Sequence, residues 1–195
     1  MRRIRTALGV IAATLLLITG SVVPGAAIAQ ASSPDSSCVS IDNLFLSRWQ
    51  QKTWAYGCAI SPLAPTYNGL YQNFERGQMV WSPSQGRGMI VSGWWTRFGE
   101  QGNRFRLDFQ WGTTDPDSYN KWLVRLDIDD RANLGQWDCY TGGTECGNTA
   151  GYYGFGQDFV TPGHSYQFRV EGCHYSPITG HNCPRSWAIP VWLWF

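Results

Sequence analysis

Histidine, lysine and glutamate are scarce in this chain of 195 residues: three, two and four of each. That scarcity narrows the available chemistry. There is no Gly-x-Ser-x-Gly, no His-Glu-x-x-His and no phosphate-binding glycine loop. A hydrolytic triad would need His164, His174 or His181 beside a buried acid and a nucleophile, and nothing in the spacing arranges this. Glycosidases need two carboxyl groups, one with a raised pKa. Glu75 falls at a hairpin tip, and Glu100, Glu145 and Glu171 flank turns or a strand, where an exposed carboxylate makes a poor general acid. A small secreted glycan hydrolase is therefore the weakest of the functional expectations. No catalytic residue and no cofactor are expected.

Excess charge of either sign is also missing, since 15 basic residues face 14 acidic ones. Long apolar runs are missing too, apart from Leu8 to Val23. That run follows Arg2, Arg3 and Arg5 and precedes Pro24-Gly25 and the small residues Ala27, Ala29 and Ala31, the layout of a secretory signal peptide over 1–31. An uncleaved membrane anchor is the alternative, but the run is short for a span. Cleavage would remove three Arg and no acid, leaving a net charge of −2. Nothing basic then remains to follow a phosphate backbone, so nucleic acid is not an expected partner, nor is a membrane after cleavage.

What the chain does have is cysteine after the leader and tryptophan throughout. Cys38, Cys58, Cys139, Cys146, Cys173 and Cys183 make an even set in an exported chain, read as three disulfides. Six cysteines allow fifteen connectivities; sequential neighbours suggest Cys38–Cys58, Cys139–Cys146 and Cys173–Cys183, each closing one local region. Cys173-His174 with His181 and Cys183 is an alternative metal set, at a spacing that fits no common zinc pattern. Asp127, Asp129, Asp130 and Asn133 are a candidate calcium cluster, without the Gly that a calcium loop requires.

Taken in order, residues 32–43 are a polar leader. Leu44, Leu46, Trp49 and Trp54 are spaced as one helix face, with Asp42 near its start. Pro62 and Pro65 mark a turn. Tyr71 to Pro83 reads as a hairpin about Glu75-Arg76-Gly77, with Gly77 free to adopt positive φ. Met89-Ile90-Val91 is a short strand, and Trp94 to Asn103 a connector. Beyond it, Phe105, Leu107, Phe109 and Trp111 alternate with polar residues. Trp122, Val124, Leu126 and Ile128 alternate likewise, as do Tyr166, Phe168 and Val170, and Val191, Leu193 and Phe195. Such period-two patterning with turn-rich gaps predicts an antiparallel sandwich.

Two resemblances organise this pattern. Residues 44–98 resemble the LGFP repeat of exported bacterial proteins. The residues that carry the likeness are Trp49 on the helix, Gly57, Pro62-Leu63-Ala64-Pro65-Thr66, Tyr71-Gln72-Asn73-Phe74-Glu75-Arg76-Gly77, Val80-Trp81-Ser82-Pro83, Gly86 and Val91-Ser92-Gly93. The name-giving turn has Ala64 in place of the usual Phe, and the repeat occurs once. After a connector at 99–102, residues 103–195 resemble a fibronectin type III domain. Val160-Thr161-Pro162-Gly163-His164-Ser165-Tyr166 carries that likeness. It implies that the Tyr166 hydroxyl pins the loop before its strand, and that Trp111 and Trp122 lie in the core. The first resemblance implies association with the cell wall. The expected fold is thus mainly β: a small α+β module, then a disulfide-stapled antiparallel β-sandwich. The 142–156 region and Cys173 to Cys183 are long loops within it, each staple worth about 2–3 kcal/mol.

Of eleven tryptophans most must be core, and Trp111, Trp122 and Trp187 fit that role. Trp192 and Trp194 share one face, opposite Val191, Leu193 and Phe195, and adjacent Trp94 and Trp95 point to opposite sides of a strand. Exposed rings stack on the apolar faces of sugars. Tyr67, Tyr71, Trp81, Trp94 and Trp95 are the candidate ligand-binding residues; the alternative is that the rings cover the junction between modules. The expectation is a secreted, non-catalytic binding or adhesion protein that engages polysaccharide or cell-wall glycan. Another exported protein is the alternative partner.

Overall fold

In the computed structural model the described residues are 38–99, 102, 104–129, 131–141, 145–156 and 160–195, with backbone alone at 131–134. The expected signal peptide, 1–31, and residues 32–37 of the polar leader lie outside them, as do Glu100 and Asp130. Among the described residues no helix is long and apolar enough to cross a membrane.

Asp42 starts the helical part. Its Oδ1 accepts the Leu44 N–H at 2.9 Å and caps α1, Asn43–Gln51. The spacing predicts one helix reaching Trp54. Instead the chain breaks at Lys52, with φ −145° and ψ 44°, and resumes as the single turn α2, Thr53–Tyr56. The break lets Phe45 and Tyr56 both enter the core and leaves Trp54 65% exposed.

Eleven strands follow among the described residues. β1 (Ala64–Thr66), β2 (Gly69–Phe74), β3 (Gly77–Trp81), β4 (Ile90–Phe98), β5 (Arg104–Gly112) and β8 (Gly151–Phe155) lie side by side in that order as one antiparallel sheet. The second sheet has the order β10 (Gly180–Asn182), β9 (Ser165–Ser176), β6 (Lys121–Ile128) and β7 (Arg131–Tyr140), with β11 (Val191–Trp194) also paired to β9. The protein is mainly β, with a small helical part.

Register assigns every side chain to a face. Trp95 lies opposite Leu107, and Val91 opposite Trp111, on the side turned to the second sheet. There Phe109 stacks on Phe168 with centroids 4.1 Å apart, and Trp111 meets Trp122 edge-on at 5.7 Å. The other face of the first sheet carries Phe74, Met79 and Trp94, which pack against Phe45, Ala55 and Tyr56 from the helices. The layers are therefore helices, first sheet, second sheet, with a hydrophobic cluster in each gap. The Tyr166 hydroxyl donates to the Thr161 carbonyl at 2.9 Å and accepts its N–H at 2.7 Å, pinning the loop before β9 as expected.

Several expectations change. Trp94 to Phe98 is not connector but the longer half of β4, paired along its length with β5. The glycines at 99 and 102 mark the turn between these strands, so strands from both halves of the chain share one sheet. Gly77 matters for its missing Cβ, which would strike the Gly93 carbonyl oxygen on the neighbouring strand. β8 occupies part of the expected loop at 142–156. All three disulfides join sequential cysteines: Cys38–Cys58, Cys139–Cys146 and Cys173–Cys183.

Candidate functional site

The two sheets differ in width, and the mismatch creates the site. β11 packs over β3 and β4, while β2 and β1 continue beyond it. The inner face of β2 is thus left as a floor, with β11 and the segment before it as one wall. Alternation places Tyr71 and Asn73 on this floor, opposite Val80 and Gln78 of β3. On β11, Val191 and Leu193 turn into the core, so Trp192 and Trp194 are left at the wall. Tyr67, in the turn between β1 and β2, forms the near rim and is 85% exposed. The cavity so enclosed has a volume of about 710 Å³, and Trp187 and Arg169 also line it.

Amides organise the floor. Gln78 Oε1 accepts the backbone N–H of Trp192 at 2.8 Å, and its Nε2 donates to Asn73 Oδ1 at 2.9 Å. Among the described residues the Asn73 side-chain N–H₂ makes no hydrogen bond, so it is a donor available to a ligand. Arg169 is held by Gln167 and lies 3.7 Å from Asp127. Flat rings at the rims and a few fixed polar groups between them are the make-up of a small-molecule or sugar site.

The cavity continues at both Asn73 and the Trp192–Trp194 wall into a narrower stretch of about 200 Å³, bordered by Ile60, Glu75 and Trp95. Trp95 in turn borders a third stretch of about 610 Å³, with Trp54, Arg76, Thr96 and Arg97. These three neighbouring depressions, adjacent ones sharing lining residues, follow β2 past the β2–β3 hairpin tip and are together termed the trough. β2 alone extends about 17 Å at a strand's usual rise per residue.

Of the expected ligand-binding residues, Tyr67, Tyr71 and Trp95 border this trough. Trp95 is half-buried, its ring 5.3 Å from that of Phe195. Trp81 does not join them. It lies on the helix-side face, with its Nε1–H donated to the Arg87 carbonyl at 2.8 Å. Trp94 is a correction: only 2% exposed, it packs against Tyr56 with Lys52 Nζ 4.4 Å from its ring centre. Register with β5 put Trp94 under the helices and Trp95 towards the trough, a choice the dipeptide alone could not make. Missed outright were Trp54, read only as part of a helix face, and the amides Asn73 and Gln78; Trp187, expected in the core, is half-buried and lines the cavity. Trp192 and Trp194 were legible from their alternation with Val191 and Leu193.

The cysteine-containing metal alternative loses its sulfur ligands. The Cys173 and Cys183 sulfurs are bonded to each other. Asp127 accepts Arg125 Nε on both oxygens at 3.0 Å, whereas Asp129 accepts His164 Nδ1–H at 2.6 Å and the Ser165 N–H at 2.9 Å. The two aspartates therefore serve separate partners. Hydrogen bonds from His164 and Ser165 hold the Asp129 carboxyl below the usual carboxylate range. Burial raises the Glu171 carboxyl, which lies beside the disulfide and not on the trough.

No protein-family model, no curated protein and no solved structure matches this chain.

Proposed function

We propose that this is a secreted, non-catalytic binding protein that holds a polysaccharide or cell-wall glycan in the aromatic trough. The observation that carries this reading is where the exposed rings lie. Of the seven large apolar side chains exposed among the described residues, Trp54, Ile60, Tyr67 and Trp194 border these neighbouring depressions. Solvent-facing indole and phenol rings cost free energy in water, and grouping them along a groove offers stacking surfaces for sugar rings. Glu75 is the one carboxylate among the trough's lining residues, and it already accepts the Cys58 N–H at 3.1 Å.

Export is supported by the signal-like residues 1–31 and by three disulfides, which persist in oxidising compartments. The likeness of 103–195 to fibronectin type III domains rests on the Val160–Tyr166 motif, whose Tyr166 hydroxyl bonds back to Thr161. The likeness of 44–98 to the LGFP repeat rests on its motifs and associates the chain with the cell wall.

Sedimentation with insoluble polysaccharide and cell-wall material tests the proposal. Wild-type protein is expected in the pellet and Tyr67→Ala/Trp194→Ala in the supernatant, with Trp81→Ala behaving as wild type. Wild-type protein that stays in the supernatant on every matrix would end the glycan reading.

A further inference from the structure

The two ends of the trough differ in charge. At the Tyr67 end the polar groups are the amides Asn73 and Gln78 and an Arg169 already held by Gln167 and near Asp127. At the far end two guanidinium groups, Arg76 and Arg97, flank Trp54 and Trp95. Neither forms an ion pair among the described residues, whereas Arg106, Arg125, Arg169 and Arg185 each have an aspartate partner.

Both are fixed in place without a carboxylate. Arg76 donates through Nε to the Ala55 carbonyl at 3.1 Å and through Nη2 to that of Trp54 at 2.6 Å. That anchors it to the end of α2 and leaves Nη1 uncommitted. Arg97 lies over aromatic faces, 5.6 Å from the Trp95 ring centre and 5.2 Å from that of Phe105. A pre-positioned guanidinium loses little entropy on meeting an anion, and its planar fork matches a carboxylate. Beside them the Trp54 ring is 65% exposed, free to carry the face of a sugar.

We infer that the trough selects an acidic linear glycan, with a sugar carboxylate held at Arg76 and Arg97 while the rest of the chain runs past Trp95 and Trp194 towards Tyr67. The inference rests on the glycan reading and adds the class of glycan. A uronic acid carries its carboxylate on the ring itself, so charge and stacking face arrive together, as the arginines and Trp54 require. A phosphodiester linker separates its charge from any ring face.

The test compares polygalacturonate, its fully methyl-esterified form and a phosphodiester-linked polyol polymer at equal chain length, followed by tryptophan fluorescence. Polygalacturonate is expected to bind about tenfold more tightly than the ester, the scale of one charge-assisted hydrogen bond. That preference should shrink as salt rises. Arg97→Gln should bring the ratio of acid to ester affinity close to one, while Trp194→Ala weakens both and keeps the ratio. Equal binding of acid and ester overturns the inference and leaves the glycan reading standing. Tighter binding of the phosphodiester polymer also overturns it. No binding to any of the three polymers counts against both.

Discussion

The side chain of Gln78 holds the backbone of Trp192: its Oε1 accepts that N–H at 2.8 Å, joining the floor of the trough to its wall. Gln78 is 5% exposed, so the bond is shielded from water. It also satisfies a donor on the side of β11 away from β9. Gln78→Met keeps the bulk and removes the acceptor. The Trp192 N–H is then unpaired, at a cost of about 1–3 kcal/mol. Chemical denaturation should record that loss. Ligand binding should fall by more than the unfolded fraction accounts for, because β11 is no longer fixed to β3. Unchanged stability would mean that another acceptor replaces Gln78.

Much of this arrangement is legible in the sequence. Period-two alternation locates β5, β6, β9 and β11 and assigns their inward faces, because burial on one side demands it. The even cysteine count predicts three disulfides, and the pairing of sequential neighbours is the one the structure holds. Tyr166 marks its own loop. The trough is less legible because it depends on how wide one sheet is relative to the other, and local patterning does not encode width. Trp94 and Trp95 make the same point: their neighbours on β5, Asp108 and Leu107, decide which ring is buried. Trp54 misleads for a different reason. Its helical spacing is sound, but the break at Lys52 rotates it out of the face it seemed to share.

Trp94 and the trough aromatics should separate cleanly in mutagenesis. Trp94→Ala removes a fully packed indole beneath the helices and is expected to cost about 3–5 kcal/mol. The protein that remains folded should bind as wild type does. Tyr67→Ala removes a ring that is 85% exposed and should leave the unfolding midpoint within experimental scatter while weakening binding. Equilibrium denaturation and a binding titration on the same samples check both halves. A reversed pattern would move the site to the helix-side face.

The Cys38–Cys58 bridge closes a loop with a sequence separation of 20 around both helices. Replacing both cysteines by serine should lower stability by about 3 kcal/mol, from the unfolded-chain entropy that the bridge removes. Denaturant midpoints of oxidised wild type and the variant measure the effect. Equal midpoints would show that the bridge adds nothing to folding.

Asp129 gives a pH signature. His164 Nδ1–H and the Ser165 N–H bond its carboxylate and lower its pKa in the folded state. A carboxyl depressed on folding contributes stability above its unfolded value, about 3.9, and loses it as pH falls through the lower folded value. Asp129→Asn should therefore be less stable than wild type at about pH 5, and the gap should close towards pH 2. Thermal unfolding across that range follows the gap. A gap that widens on acidification would contradict the assignment.

The most direct measurement of the central claim is a fluorescence titration of the oxidised protein with soluble polysaccharide, acidic and neutral, alongside Tyr67→Ala/Trp194→Ala. The trough's rings predict a saturable change in wild-type tryptophan emission that the double variant loses at unchanged stability. A double variant that binds as tightly as wild type, or a wild type that binds none of the polymers, would contradict it.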